Sequence, residues 1–248
     1  MTNFPVATPP FTGLGKRLES ACRKALYDYK MVEACPKVAI ALSGGKDSLT
    51  LLFLLHAIRG RGFPNFDLVA IHIDGDYSCG AGVNKSWLEG ICNELCVPFI
   101  SIEAKQDPET LECYSCSRKR RHLIFEEAKK AGATTIAFGH HRDDNAQTLM
   151  LNLLQKGEFA GNIPKIPMHK YGITIIRPLI YISEADIKTF AKQYNFSRIT
   201  CQCPVGQHSK RKLVDRLIEE MNDAFPGARK NLSDASLNYG SDKACYID

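Results

Sequence analysis

Short apolar runs alternate with longer segments of helical periodicity along most of this 248-residue chain. The runs are rich in β-branched residues, as in buried parallel strands, whereas the longer segments repeat apolar residues at helical intervals. The predicted strands cover residues 38–42, 67–73, 99–103, 135–138 and 174–176. The predicted helices that follow them cover residues 48–58, 84–96, 117–130, 144–155 and 183–194. Repeated strand–helix units predict an α/β fold, with a parallel sheet covered by helices on both faces.

The alternation predicts one domain with an extension at each end. Residues 1–13 are rich in proline and are expected to be flexible, and a helix is predicted over residues 14–29. The domain itself is expected to span residues 14–199. Residues 200–248 break the alternation, and we expect them to form a cysteine loop, one helix over residues 209–222 and a tail, packed on the same domain. No linker or repeat indicates a second domain.

Composition narrows the class of protein. A hydrophobic content of 44% suits a globular core, and no long uncharged apolar stretch or signal arrangement is present, so we expect a cytoplasmic protein that does not enter a membrane. The net charge of +5 does not by itself establish a nucleic-acid partner. Ten cysteines in an α/β pattern favour metal or redox chemistry over a disulfide framework.

A glycine-containing turn, Ser43–Ser48, follows the first predicted strand and precedes a helix. Gly44 and Gly45 let the backbone turn tightly and present N–H groups to an anion at the positive end of the helix, and Lys46 adds an ammonium group. The Walker pattern is excluded, because its four-residue spacer is absent. An ordinary capped turn is the alternative, but the combination favours phosphate binding.

A second polar segment, Gly139–Asp144, follows the predicted strand 135–138 and so reaches the same sheet edge. Gly139 would allow a nucleotide to approach the backbone. Asp143 or Asp144 can hold Mg²⁺ against phosphate oxygens, because carboxylate and phosphate are the ligands that this ion prefers. Either aspartate can instead cap the following helix. The roles of His140 and His141 stay open.

Two groups of cysteines can hold a metal. Cys113 and Cys116 form a C-x-x-C pair, which is shared by zinc sites, thiol redox pairs and iron–sulfur ligands. Cys201 and Cys203 lie far away in sequence and can complete the site. Four thiolates would suit zinc, whereas three would leave one coordination position open. The remaining cysteines considered are interpreted as small buried hydrophobes: Cys22, Cys35, Cys92 and Cys96.

Each cysteine group is followed closely by a basic run. Residues 118–122 and 210–212 are dense in lysine and arginine. A solvated helix face is the usual explanation of such a run, but the shared position beside cysteines favours a role in binding an anionic partner.

The combined motifs resemble the PP-loop ATP pyrophosphatases, and within them the tRNA 2-thiocytidine synthetases. The resemblance rests on the segments 43–48, 113–121, 139–144 and 176–179 and on the late cysteine loop, and it covers nearly the whole chain from Leu14. It implies a Rossmann-like fold of the adenine nucleotide alpha hydrolase type. It also implies ATP cleavage to AMP and pyrophosphate, a three-cysteine [4Fe-4S] cluster, and thiolation of a cytidine in the tRNA anticodon loop.

The resemblance implies roles for individual residues. The residues expected to bind ATP are Ala41, Ser43, Gly44, Gly45, Lys46, Asp47, Ser48, Ile71, Gly139, His140 and Asp144. Those expected to be catalytic are Lys46, Asp47, Asp144, Cys113 and Cys203, with Mg²⁺ on Asp144. The cluster ligands are expected to be Cys113, Cys116 and Cys203. The basic residues expected to face tRNA or the cluster are Arg118, Arg120, Arg121, Lys210 and Arg211.

Two segments depart from the family pattern. The late motif of the family is Cys-x-x-Cys-Gly, whereas this chain has Cys201 and Cys203 one residue apart, followed by Pro204. We prefer Cys203 as the third ligand, because the Cys-Pro pair resembles that of related thiolases. The segment 74–82 is also unlike the family and leaves the adenine contacts and the nucleic-acid substrate open.

The expected mechanism is adenylation of the base's C2 carbonyl oxygen, followed by attack of sulfur and release of AMP. The expected partners are tRNA and a sulfur donor, either a cysteine desulfurase persulfide or free sulfide, with a homodimer as a further candidate assembly. Two alternative functions stay open. One is a sulfurtransferase that acts on another tRNA base or a small molecule, and the other is a non-catalytic nucleotide-binding sensor of metal or redox state.

Overall fold

The computed structural model describes residues 4–33, 35–75, 84–104, 113–196 and 210–239. Side chains are described for all of these residues except 113–116.

The described residues contain one six-stranded sheet. Its strands are β1 (Lys37–Ala41), β2 (Asp67–Asp74), β3 (Phe99–Glu103), β4 (Thr135–Ala137), β5 (Lys165–Met168) and β6 (Ile173–Ile176). The order across the sheet is β3-β2-β1-β4-β6-β5, and all neighbours are parallel except β5 and β6. The predicted α/β fold is therefore confirmed. The antiparallel edge strand β5 was not predicted.

Helices connect the strands and extend beyond the last one. They are α1 (Gly13–Asp28), α2 (Lys46–Ile58), α3 (Lys85–Glu94), α4 (Cys113–Lys130), α5 (Arg142–Lys156), α6 (Glu184–Gln193), α7 (Lys210–Ala224) and α8 (Ala228–Asn238). The Ser183 side chain caps α6 by accepting a hydrogen bond from the Asp186 N–H. None of the described helices is both long and apolar enough to cross a membrane.

Alternate residues of β1 enter different apolar clusters, which shows that the sheet is covered on both faces. Val38 and Ile40 pack in a cluster with residues from α1, α2, α3 and α6. Ala39, between them, packs in a second cluster with residues from α4. A strand buried on both sides has no polar face, and this explains the continuous apolar run in the sequence.

The C-terminal helices pack on α5. A small apolar cluster joins Ala146 of α5 to Val214 and Ile218 of α7. The fully buried Asn145 side chain donates hydrogen bonds to the carbonyl and hydroxyl oxygens of Ser233 in α8, at 3.1 and 3.0 Å. The tail predicted after the helix of residues 209–222 contains a second helix, α8, which was not predicted as a separate element.

The N-terminal segment is packed, although it was predicted to be flexible. Its described residues before Gly13 form no helix or strand, but Ala7 and Phe11 are 0% and 6% exposed. The Phe11 ring meets the Phe190 ring edge-on, with centroids 5.8 Å apart. Aromatic contacts with α6 therefore fix a proline-rich segment that has no periodicity of its own.

The four cysteines interpreted as buried hydrophobes divide into two pairs. Cys22 and Cys92 are fully buried, as predicted, and burial raises the pKa of both thiols, to about 12 for Cys92. Cys35 is half-buried and its thiol donates to the Lys37 carbonyl oxygen at 3.0 Å. Cys96 is exposed, so its assignment as a buried hydrophobe was wrong. It lies at a positive φ of 50°, just past the end of α3.

Candidate functional site

A cleft of about 320 Å³ opens where β1, β2 and β4 end. Parallel sheets bind ligands at the carboxyl ends of their strands, where the strand order reverses, and here the reversal falls between β1 and β4. The residues that line the cleft are Ala41, Leu42, Ser43, Asp47, Ser48, Ile71, Ile73, Ser117, Arg120, Arg121, Ile124, Phe138, Gly139, His140, Asp144 and Arg211. Apolar residues from β2 therefore face one part of the cleft, and arginines from α4 and α7 face another.

The predicted phosphate loop lies between β1 and α2 and forms one wall. Gly44 has a φ of 80°, a conformation that favours glycine, and Gly45 is the N-cap of α2. No side chain caps this helix. The Ser43 and Ser48 hydroxyls lie 3.1 Å apart, and the Ser48 hydroxyl also donates to the Gly45 carbonyl oxygen at 3.0 Å. An uncapped helix N-terminus with two hydroxyls beside it is suited to an anion.

Gly139 brings the second polar segment against this loop. A Cβ at this position would lie 3.0 to 3.1 Å from backbone atoms of Asp47 and Ser48. That separation is too short for an unstrained contact, so any side chain here would push the two loops apart. The structure thus gives Gly139 a role in loop packing, in addition to the predicted access for a nucleotide.

His141, rather than either aspartate, is the N-cap of α5. Its Nδ1 accepts from the Asp144 N–H at 3.4 Å, and the Asp144 carboxylate accepts from the His141 N–H at 3.1 Å, which forms a capping box. The predicted capping role of Asp143 and Asp144 is corrected accordingly. The Nε2 atom of the same ring lies 3.7 Å from the Asp47 carboxylate and 3.4 Å from the Asp144 carboxylate. The carboxylates of Asp47 and Asp144 therefore approach the same ring nitrogen.

Asp143 points away from the cleft and holds neighbouring elements together. It is 6% exposed, and its carboxylate accepts from the Glu184 N–H at 2.8 Å. Arg229 of α8 lies 3.7 Å from the same carboxylate. Asp143 therefore links the start of α5 to the start of α6 and to the C-terminal helices, which leaves Asp144 as the aspartate of this pair that faces the cleft.

Positive charge surrounds His140 and Asp144. Burial, reinforced by the nearby charge of Arg177, lowers the pKa of His140 to about 3. Burial opposes ionisation of Asp144, but His141, His140 and Arg211 outweigh it and hold the pKa of Asp144 below its usual value. Arg177, in the motif of residues 176–179, is 8% exposed, and burial lowers its pKa to about 10. The His140 imidazole is therefore neutral at physiological pH and the Asp144 carboxyl is ionised.

The predicted basic residues separate into two groups. Arg120, Arg121 and Arg211 line the cleft, and the Arg211 guanidinium lies 3.3 Å from the Asp144 carboxylate. Arg118 and Lys210 are exposed and are not among the residues that line it. Both basic runs thus send at least one cation into the cleft, which brings residues 90 positions apart in the sequence, Arg121 and Arg211, to one site.

Lys46 does not enter the cleft. Its ammonium lies 3.0 Å from the Asp47 carboxylate and 3.0 Å from the Glu184 carboxylate. Burial disfavours the charge, but the two acids outweigh this effect and raise the pKa of Lys46 above its usual value. Burial also disfavours the charge of Glu184 and would raise its pKa. Hydrogen bonds from Lys188 and Lys46 outweigh this effect and lower the pKa of Glu184 to about 2. Glu184 was not predicted, because its contact with Lys46 spans 138 residues and no motif contains it.

The predicted cluster ligands lie largely beyond what the structure describes. Cys113 and Cys116 belong to the first turn of α4, and Cys201 and Cys203 fall outside the described residues. Among the side chains that are described, no three of His, Cys, Asp or Glu are grouped as a metal site. The choice between Cys201 and Cys203 therefore stays a prediction.

Of the eleven residues predicted to bind ATP, eight line the cleft and three do not, namely Gly44, Gly45 and Lys46. Sequence reasoning missed five lining residues: Leu42, Ile73, Ser117, Ile124 and Phe138. Leu42, Ile73 and Phe138 lie at or just beyond the ends of predicted strands, so their position carried a usable signal. Ser117 and Ile124 required knowledge of which face of α4 turns toward the sheet.

Comparison with known proteins identifies the family of this chain. A model of the PP-loop domain matches residues 16–211. A tRNA-cytidine(32) 2-sulfurtransferase from Bordetella avium (strain 197N) is 37% identical over 232 residues, which cover 90% of this chain and 72% of the relative. The protein of the same name from Bordetella parapertussis is 38% identical over 231 residues, covering 90% and 71%.

A solved structure shares the fold. The U34-tRNA thiolase NcsA from Methanococcus maripaludis, with its [4Fe-4S] cluster, superposes with a TM-score of 0.73 at 21% identity, over 95% of this chain and 80% of that protein. At this identity the likeness shows the fold alone. The sequence matches go further, because they span most of both chains at more than a third identity. The chain belongs to the PP-loop family and, within it, to the tRNA-cytidine(32) 2-sulfurtransferases.

Proposed function

We propose that this chain is an ATP-dependent tRNA sulfurtransferase that converts an anticodon-loop cytidine, cytidine 32, to 2-thiocytidine. The observation that carries the proposal is one cleft that combines the uncapped loop of residues 43–48 with arginines from α4 and α7. The relatives named for this activity are 37% and 38% identical to the chain over the 232 and 231 aligned residues. A nucleotide phosphate and an anionic RNA would both find complementary groups here.

The residues of the cleft fit ATP. Its volume of about 320 Å³ is within the range of small-molecule sites, about 300 to 1,000 Å³. Ala41, Ile71 and Ile73 offer an apolar surface for a base, and the Ser43 and Ser48 hydroxyls stand at the helix N-terminus, where phosphates bind best. Arg121 and Arg211, which also line the cleft, supply positive charge. We therefore assign the polyphosphate to the loop and the adenine to the β2 side.

Asp47 and Asp144 would hold Mg²⁺. Both carboxylates line the cleft, and both lie within 4 Å of the same His141 nitrogen. Two carboxylates beside a polyphosphate are typical of Mg²⁺ sites, and the ion would neutralise phosphate charge. This assignment adds Asp47 to the single ligand, Asp144, predicted from the sequence.

The proposed chemistry makes the C2 oxygen of the cytosine, a poor leaving group, part of AMP, which leaves readily. The cytosine C2 oxygen attacks the α-phosphorus of ATP, so that a new C–O–P linkage forms and pyrophosphate leaves. Hydrosulfide then bonds to C2 and loses its proton, and the C2–O bond breaks as AMP departs with the original oxygen. Cations around the cleft would stabilise the charge that develops on the α-phosphate during the first step.

A [4Fe-4S] cluster would be held by Cys113, Cys116 and Cys203. Cys113 and Cys116 are one helical turn apart at the start of α4, and the next residue, Ser117, lines the cleft. Cys203 precedes α7, whose residue Arg211 also lines it. When bound, the cluster would supply an iron coordination position for incoming sulfur. The sulfur donor would be free sulfide, or a persulfide whose S–S bond a second thiol cleaves to form a disulfide.

The test measures nucleotide products with matched tRNAs. Anaerobically purified protein is incubated with ATP, Mg²⁺, sulfide and a tRNA that carries either cytidine or uridine at position 32. We expect AMP and pyrophosphate in equal amounts with the cytidine tRNA only. Asp144→Asn should lower this rate about 100-fold, as expected for removal of a group that stabilises transition-state charge. The control Asp234→Asn changes an exposed aspartate of α8 and should have no effect.

Other outcomes support other functions. Equal product with both tRNAs would indicate a different base. AMP formation without tRNA would indicate a small-molecule acceptor, and tight ATP binding without AMP would indicate a non-catalytic sensor. Each of these results would contradict the proposed substrate.

A further inference from the structure

The loop lysine is held by acids instead of facing the cleft. Its ammonium contacts Asp47 and Glu184, both at 3.0 Å, and its side chain is 22% exposed. Ser43, Asp47 and Ser48 of the loop line the cleft, whereas Lys46, like Gly44 and Gly45, does not. A lysine that grips phosphate directly would have to leave both carboxylates first.

Glu184 is fixed in place independently of Lys46. Its backbone N–H donates to the Asp143 carboxylate at 2.8 Å, and Ser183 caps the helix that Glu184 begins. Lys188, one turn later, donates to the second carboxylate oxygen at 2.9 Å. The acid therefore stays beside the phosphate loop whether or not Lys46 is present.

Lys46 supplies half of the positive charge that balances the two acids beside the loop. Lys46 and Lys188 provide two positive charges, and Asp47 and Glu184 provide two negative charges. Without Lys46, the Glu184 carboxylate would keep only Lys188, which is half-exposed. A less compensated carboxylate at the edge of an anion site repels the polyphosphate, with little screening because it is partly buried.

We propose that Lys46 acts as a positioning residue that neutralises Glu184 and Asp47, and that it does not bind the phosphates of ATP directly. In this role the loop binds phosphate through its N–H groups and hydroxyls, and Lys46 keeps the neighbouring acids from opposing it. The inference rests on the proposed function only in taking ATP as the ligand of the cleft. It also replaces the sequence-based expectation of a direct phosphate contact by Lys46.

A double-mutant cycle separates the two roles. ATP affinity is measured by titration calorimetry with Mg²⁺ for the wild type, Lys46→Met, Glu184→Gln and the double variant. We expect Lys46→Met to weaken ATP binding about tenfold or more, as for removal of one partner of a partly buried charge pair. Adding Glu184→Gln should restore the affinity to within about threefold of the wild type, because the double variant lacks both the repelling carboxylate and the lysine that neutralises it.

The matched control is Lys188→Met. Lys188 contacts the same acid as Lys46 but is half-exposed and lies one turn farther along α6, so its removal should change ATP affinity less than twofold. Thermal unfolding of every variant reports whether the fold is retained. If Lys46→Met does not fold, Lys46→Gln takes its place in the same cycle, with the same expected results.

Three results would overturn the inference. An equal loss of affinity from Lys46→Met in both backgrounds would mean that the lysine binds phosphate directly. No loss in either background would mean that it has neither role. Tenfold weaker binding by Glu184→Gln alone would mean that the acid itself supports ATP binding. Failure of the wild type to bind ATP would instead contradict the proposed function, so the two failures are distinguishable.

Discussion

His140 keeps an uncharged ring close to the charged residues of the cleft. The charged residues that influence the pKa of His140 are Arg177, Asp144, Arg211 and Arg121. Its Nδ1 is shielded from solvent and has no hydrogen-bond partner in the described part of the chain. Because the folded protein binds this proton more weakly than the unfolded chain does, its pKa falls from 6.5 to about 3. The stability contributed by the neutral ring is therefore fully present above pH 6.5 and is lost as pH falls toward 3.

This pKa shift predicts a pH-dependent difference between the wild type and His140→Gln. In urea unfolding, the wild type should lose stability relative to the variant as pH falls from 6.5. Asp144 titrates below 3.8, so the interval down to 3.8 reports the imidazole. Parallel stability curves across this interval would show that His140 ionises normally in the fold.

At the scale of single residues, the sequence predicted which side chains lie at the cleft. It predicted less well which residues those side chains contact there. Strand ends predicted Ser43, Asp47 and Asp144, because parallel strands bring their carboxyl ends together. Contacts between distant segments carried no such signal. The pairing of Lys46 with Glu184 joins residues that only the folded sheet brings together.

At the scale of elements, the first turn of α4 and the segment before α7 carry the proposed cluster. Replacing Cys113, Cys116 or Cys203 by alanine should remove iron and the broad visible absorption of anaerobically purified protein. The cause is loss of one of three thiolate ligands. Iron and acid-labile sulfide analysis provide the measurement. Cys96→Ser, at an exposed cysteine, is the matched control and should retain the cluster.

Two results would revise this assignment. Stoichiometric zinc without iron would replace the iron–sulfur site with a zinc site. Loss of iron from Cys201→Ala together with its retention in Cys203→Ala would reverse the choice of third ligand.

Two elements escaped prediction for different physical reasons. The edge strand β5 has only four residues, and one of them is Pro167. Proline occurs in sheets mainly at edges, so its presence in a sequence argues against a strand. Helix α8 buries Ser233 and Ser236 against α5 instead of an apolar stripe. A helix whose buried face is polar gives no hydrophobic periodicity to detect.

At the scale of the whole molecule, the fold explains why distant motifs form one site. The strand order reverses between β1 and β4, which puts the loops of residues 43–48 and 139–144 side by side. Helix α4 covers one face of the sheet, and α7 reaches the same cleft through its packing on α5. The α/β alternation was sufficient to predict the sheet, but the packing of α7 and α8 on α5 depends on tertiary contacts such as the hydrogen bonds of Asn145 to Ser233.

The central claim is that this cleft exchanges a cytidine oxygen for sulfur at the expense of ATP. Its most direct test is mass spectrometry of nucleosides from a tRNA with cytidine at position 32, after reaction with the protein, ATP, Mg²⁺ and sulfide. We predict 2-thiocytidine that depends on ATP and is absent when the same tRNA carries uridine at that position. An unchanged nucleoside profile, obtained with protein that contains its cluster and binds ATP, would contradict the account.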